Sequence, residues 1–220
     1  MKKLFSILFI AFGVSVFAQE AITEGVANLK TTLSSSDSQM NAQFAMIGDI
    51  NSVTYFKDNF SRTETSNVMT GNSVSIMDAN TQEMLTYMDN PMAGKLYMKQ
   101  SFNANEEDLK DIEVEKTDET KEFLGYDCAK YIATINKNGA TTTMEIYTTD
   151  KISAISNQTA TLGDKFEGFP LFMTIEANQQ GMNMILTIEV TDVKQEAVST
   201  DLFDMTPPEG YKETDNLGGM

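Results

Sequence analysis

The chain has 220 residues, enough for one domain with a substantial core, and its 32 acidic and 16 basic residues give a formal net charge of −16. Such an acidic surface repels the phosphates of nucleic acids, so we expect no nucleic-acid partner. The absence of histidine removes the commonest general base and zinc ligand, and a single cysteine excludes an intrachain disulfide.

The N-terminus has the layout of an export signal. A positive start, Met1 to Lys3, precedes an apolar run from Leu4 to Phe17 that is too short to span a bilayer. Small or modest residues one and three positions before a cut after Ala18 complete the signal. We therefore predict a signal peptide over 1–18, a periplasmic or secreted protein, one β-rich domain over 19–212 and a flexible tail over 213–220.

The first part of the mature chain is predicted to be a helix followed by a strand. Four apolar residues recur at helical spacing and would share one face of a short amphipathic helix: Ile22, Val26, Leu29 and Leu33. After a Ser-rich break the period changes to two, which is typical of a half-buried strand: Met40, Ala42, Phe44 and Met46.

The rest of the chain has the alternation and turn residues of an antiparallel meander. Short runs are separated by Gly, Asn, Asp and Pro, and they lie near 52–57, 60–69, 73–78, 83–88 and 94–99. Two hairpins follow, with turns at Asn138-Gly139 and Gln180-Gly181. No alternation of strands with long helices occurs, which disfavours a parallel sheet.

An acidic stretch runs from Glu106 to Glu122. Asp111, Glu113 and Glu115 would share a face if extended and could hold a calcium ion through their oxygens. No calcium-loop spacing accompanies them, so we favour a solvated acidic sheet edge that discourages edge-to-edge pairing, and we predict no metal and no cofactor.

The two strands of the last hairpin present a methionine-rich face. Its members, which are the candidate lining of an apolar groove, are Met173, Ile175, Met182, Met184, Leu186 and Ile188. Methionine adapts to apolar ligands of different shape, so one hypothesis is a groove for a lipid or acyl chain. The alternative is that these side chains simply pack the sheet against the predicted helix from Ile22 to Leu33.

No catalytic constellation stands out. The spacing of Ser, Lys and Glu singles out no nucleophile with its base and no pair of carboxylates, so we predict that the protein is not an enzyme. Cys128 has only Lys130 as a cationic neighbour at alternate spacing, and a buried structural thiol is favoured over a reactive one.

Four blocks of sequence carry a resemblance: Glu119 to Tyr131, Glu145 to Asp150, Gly168 to Leu171 and Leu202 to Tyr211. They resemble a secreted Bacteroidetes family, domain-of-unknown-function family 4412, which is similar in architecture to the periplasmic lipoprotein-carrier (LolA-like) fold. The resemblance implies a strongly curved antiparallel sheet with helices over its concave side and a hydrophobic cavity. It departs at Tyr147, where tryptophan is expected, and it carries over no functional residue.

These observations predict a mainly β (α+β) protein, a strongly curved antiparallel sheet or half-open barrel with a few helices over the concave face. We expect an exported, monomeric binding protein that holds a lipid or another apolar ligand and has no membrane span after signal removal. The alternative is a non-enzymatic interaction or structural protein with a self-filled core and a protein partner in the cell envelope. Apolar and polar residues alternate along the strands in the same way whether a ligand or the protein's own side chains fill the sheet, so the pattern does not separate the two hypotheses.

Overall fold

In a computed structural model, residues 21–67, 71–102, 108–137, 139–179 and 182–217 are described, and most of them belong to a single twelve-stranded sheet. The sheet is large, open, curled and antiparallel apart from its last strand, which confirms the predicted fold class. The predicted signal peptide and the Gln180-Gly181 turn lie outside the described residues.

The strands are β1 Glu24–Ser34, β2 Ile50–Lys57, β3 Phe60–Asn67, β4 Gly71–Asp78, β5 Glu83–Asn90, β6 Gly94–Ser101, β7 Ile112–Phe123, β8 Tyr126–Lys137, β9 Ala140–Thr149, β10 Phe169–Gln179, β11 Met182–Lys194 and β12 Lys212–Glu213. Helix α1 spans Ser38–Ile47, and short 3₁₀ helices span Asp108–Asp111, Ala160–Lys165 and Thr200–Phe203. The spatial order is β12-β6-β5-β4-β3-β2-β1-β11-β10-β9-β8-β7. No helix within the described ranges is long and apolar enough to cross a membrane.

The helix predicted from Ile22 to Leu33 is wrong, because most of this segment is strand β1. β1 lies between β2 and β11 in the middle of the sheet and is covered on both faces. Val26 is buried on one face, while Ala27 and Leu29 are buried on the other. Because both faces are buried, apolar and polar residues do not alternate along β1. Its apolar residues recur instead at a spacing that is also typical of a helix.

The strand predicted from Met40 to Met46 is also wrong, because these residues form α1. The Asp37 carboxylate caps the helix by accepting hydrogen bonds from the backbone amides of Gln39 at 2.8 Å and Met40 at 2.9 Å. The helix ends at Gly48, whose φ of 69° suits a C-terminal cap. No residue of α1 is buried, so these caps, rather than a packed face, define the helix.

The predicted meander and hairpins are confirmed as β2 to β6, β8 with β9, and β10 with β11. The acidic stretch forms most of β7, which is the last strand at one edge of the sheet. Glu113, Glu115 and Glu122 are exposed there, as predicted for a solvated acidic edge.

Residues directly opposite each other on antiparallel strands share one face of the sheet. On one such face, a row across β7 to β11 consists of Ile112, Ile135, Thr142, Ala177 and Met184. A second row on that face, across β1 to β6, consists of Ala27, Thr54, Thr63, Ser75, Thr86 and Met98. Met84 of β5 and Ile135 of β8 line one cavity although their strands lie near opposite ends of the sheet. The sheet therefore curls around this face, which we call the concave face.

The C-terminal segment covers the opposite, convex face over β1 to β6. The Phe203 ring stacks on Phe60 with centroids 5.7 Å apart, and Val198 is buried beside Val26 and Ile76. The ordered chain continues beyond residue 212, because Glu213 belongs to β12 and Leu217 is buried. The predicted tail over 213–220 thus begins within the folded part of the chain.

Candidate functional site

The structure brings the predicted groove residues together on the concave face. Met173 stands opposite Ile188, and Ile175 stands opposite Leu186, while Met184 stands opposite Ala177. The side chain of Met182 lies outside the described residues. Met173 and Ile188 are buried, whereas Ile175, Met184 and Leu186 are half-buried.

The covered part of this group is closely packed. Met173 and Ile188 line a gap of only about 10 Å³, which Ser156 and Gln158 also line. The proposed covering helix does not exist, and its place is taken by the segment 152–168, from which Ile152 and Leu162 are fully buried in the core. The space beside Met173 and Ile188 is therefore too small for a ligand.

A larger cavity, which we call the end cavity, lies where the two ends of the sheet approach each other. Its volume is about 390 Å³, within the range of roughly 300–1,000 Å³ for small-molecule sites. Apolar walls come from both ends of the sheet and from the 3₁₀ segment beneath: Met84, Phe102, Ile112, Ile135 and Ala160. Two exposed charged residues, Asp111 and Lys137, also line it, as do four polar residues: Gln100, Ser101, Asn157 and Thr161.

The end cavity adjoins the predicted groove residues. Ile135 belongs to the row that continues through Thr142 and Ala177 to Met184, so a row that is apolar except for Thr142 reaches from the cavity to the half-buried groove residues. A second cavity of about 270 Å³ also has Phe102 and Ala160 in its wall. Sequence reasoning missed Met84 and Ile135 as site residues, because their proximity depends on the curl of the whole sheet.

The concave face carries little charge. On β1 to β6 and β9 to β11, no described side chain on this face is charged. Charges on the face occur on β7 and β8. The Lys116 ammonium lies 5.5 Å from the Tyr131 ring centroid, Glu122 faces Asp127 at the hairpin end, and Lys137 stands opposite Ala140 and lines the end cavity. In a chain with a net charge of −16, this neutrality is a local property of the concave side.

Hydroxyl groups occupy the concave face of β2 to β5. The Ser52 and Thr65 hydroxyls are 2.8 Å apart, and those of Thr54 and Thr63 are 2.9 Å apart. The Thr86 hydroxyl donates to the Ser75 hydroxyl at 3.3 Å. Pairing between neighbouring strands satisfies these groups inside a neutral surface.

A polar network on the convex face involves four residues. The Tyr147 hydroxyl donates to Glu119 at 2.6 Å, and the Lys130 ammonium lies 3.2 Å from both Glu119 and Glu145. The bond from Tyr147, with that from Lys130, lowers the pKa of Glu119, while the two carboxylates raise the pKa of Lys130. Lys130 is thus held as a cation by carboxylates and is not directed at the neighbouring thiol.

Cys128 is buried, as predicted, with 1% of its surface exposed. Burial raises the pKa of its thiol to about 11, so little reactive thiolate forms at neutral pH. Among the described residues no three Asp, Glu or Cys side chains come together in a group that could hold a metal ion. Asp111 belongs to a 3₁₀ helix, so it does not share the extended geometry of Glu113 and Glu115.

Of the comparisons with known proteins, the one with solved structures gives matches. No family model matches the chain, and no curated protein matches it. The chain is similar to part of PNGF-II in two crystal forms, C2 and P21, with 18% identity in each and TM-scores of 0.48 and 0.47. The matches cover 88% of this chain but only 31% and 32% of the PNGF-II chain, so this chain spans about a third of its length. The resemblance to family 4412 stays a prediction.

Proposed function

We propose that this chain is an exported, non-enzymatic binding protein that holds the apolar chain of a lipid or similar ligand on its concave face. The observation that carries the proposal is the end cavity, in which apolar side chains from both ends of the sheet meet and which adjoins the concave face of β9 to β11, where no described side chain is charged. An apolar chain placed against these apolar side chains would leave water, which favours binding.

Two features of the concave face support a ligand rather than a fully self-filled core. Met84 and Ile135 are only half-buried although they face the inside of a curled sheet. Ile175, Met184 and Leu186 are half-buried as well, so apolar surface remains available beyond the segment 152–168. Methionine side chains adjust their shape at little cost, which suits ligands of different length.

The competing hypothesis is an envelope interaction or structural protein with a self-filled core. The small gap beside Met173 and Ile188 favours it, because there the protein fills its own concave face. The two hypotheses differ in what the purified protein carries and in whether a change inside the end cavity affects binding.

The first experiment is native mass spectrometry of the full chain expressed with its own N-terminus and purified from a bacterial envelope, together with organic extraction of the denatured sample. We expect a reproducible extra mass that enters the organic phase. The second experiment is titration with a fluorescent alkyl probe, which we expect to give a saturable signal. A bare protein mass with no saturable signal would refute the proposal and favour the self-filled alternative.

Matched variants locate the binding site. Ile135→Glu puts a charge into the end cavity, and we expect at least tenfold weaker probe binding because an apolar chain that covers the carboxylate would strip it of water. Asn136→Glu changes the next residue of β8, which is exposed and faces the convex side, and should bind the probe like the unchanged protein. Equal binding by both variants would place the ligand elsewhere.

A further inference from the structure

The concave face has two chemically different halves. The half formed by β8 to β11 is mainly apolar, with Ile135, Ile175 and Leu186 half-buried. The half formed by β2 to β5 carries hydroxyls, of which Ser52, Thr65 and Ser73 are half-buried and in line across three strands. Both halves belong to the inside of the same curled sheet, and they adjoin at the gap of about 10 Å³, which Thr54 and Thr63 line together with Met173 and Ile188.

The hydroxyl half has no charge with which to hold an ion. No described lysine or arginine on β1 to β6 points to the concave face, and Arg62 of β3 lies on the convex face, where it donates to the Leu202 carbonyl at 3.1 Å. An ionised head group moved onto this half would lose hydration without gaining a counter-charge. A neutral group with hydroxyl or ester oxygens would exchange hydrogen bonds with water for hydrogen bonds with serine and threonine.

We infer that the ligand is an amphiphile with an uncharged, oxygen-bearing head group, such as a glycerol ester. The head group contacts the hydroxyl half through Ser52, Thr65 and Ser73, and the apolar chain lies along the surface from Ile135 to Met184. This inference rests on the proposed function, because it specifies the ligand class of the same concave site.

The test compares amphiphiles with the same alkyl chain as competitors of the fluorescent probe, each below its micelle-forming concentration. A monoacylglycerol carries a neutral head group, a fatty acid at pH 8 is an anion and an alkyltrimethylammonium is a cation. We expect the monoacylglycerol to bind at least tenfold more tightly than either ion. If either ion binds as tightly as the monoacylglycerol or more tightly, the inference is overturned but the proposed function stands. If the probe does not bind and none of the three amphiphiles competes, both are refuted.

Variants at the hydroxyl half give an independent readout. Thr65→Val and Ser73→Ala remove a hydroxyl with little change in size, and we expect three- to tenfold weaker binding of the monoacylglycerol. The probe has no hydroxylated head group and should bind these variants unchanged. Ser66→Ala is the matched control, because Ser66 is exposed and lies on the other face of β3. Circular dichroism confirms folding, and unchanged monoacylglycerol affinity in folded Thr65→Val and Ser73→Ala proteins would overturn the inference.

Discussion

The carboxylate of Glu24 accepts a hydrogen bond from the backbone amide of Val198 at 2.7 Å, which joins β1 to a segment 174 residues further along the chain. The same carboxylate oxygen lies 2.7 Å from the Lys57 ammonium on β2. One acidic side chain thus connects the centre of the sheet to the beginning of the C-terminal segment that covers the convex face.

We predict that Glu24→Gln destabilises the protein near pH 7 but hardly near pH 2. The bonds from Lys57 and Val198 lower the pKa of Glu24 in the folded state. Because the pKa of Glu24 is lower in the folded than in the unfolded chain, its ionised carboxylate stabilises the fold at pH values above the unfolded pKa. This stabilisation is lost as the pH falls through the folded pKa. Thermal unfolding of both proteins across this pH range measures the effect. Exposed Glu196→Gln is the control, and an equal deficit at both pH values would contradict the prediction.

Gly71 and Gly94 give a matched pair of glycine substitutions. Both begin a strand with positive φ, 84° and 81°, so alanine is strained at either position. At Gly71 the added Cβ would also collide with the Asp89 carbonyl oxygen, whereas at Gly94 no atom lies within 4 Å of it. We therefore expect Gly71→Ala to lower the free energy of unfolding clearly more than Gly94→Ala in urea denaturation. Similar losses would show that the β4–β5 backbones separate easily.

Phe56 and Phe169 connect β2 and β10 within the core. Phe56 is fully buried, Phe169 is 2% exposed and their ring centroids are 6.4 Å apart. We expect Phe56→Ala to reduce the free energy of unfolding by about 3–5 kcal/mol, because it removes apolar contacts and leaves a cavity. Met46→Ala, at a side chain that is 79% exposed, should change it by less than about 0.5 kcal/mol. Chemical denaturation measures both, and a loss below about 1 kcal/mol for Phe56→Ala would contradict the packing described here.

The thiol of Cys128 should be unreactive until the protein unfolds. Its pKa of about 11 and its burial leave little accessible thiolate at pH 8. We expect labelling by an aromatic disulfide reagent to be very slow in buffer and complete in denaturant, with the rise following the unfolding transition. Rapid labelling in buffer, with unchanged circular dichroism, would show that the β7–β8 hairpin opens locally.

Most of the strands could be predicted from the sequence because their signals are local. Alternation and turn residues such as Asp58-Asn59 identify β2 to β6 and the later hairpins. The same signals are misleading at β1, which is covered on both faces, and at α1, where Asp37 caps a helix. The methionine-rich face of β10 and β11 was predictable too, because a hairpin register places Met173 opposite Ile188 once its turn is known.

Local sequence patterns are therefore enough to predict the strand-rich class, the acidic edge and the alternation of the candidate groove residues. The folded sheet is needed to know which face is concave, how the segment 152–168 fills part of it and that Met84 and Ile135 share a cavity. The physical reason is that the alternation of apolar and polar residues is a pattern among neighbours in the sequence, whereas the curl of the sheet is the sum of the twists between many paired strands. Which residues meet across the curl thus depends on strands that are far apart both in the chain and in the sheet.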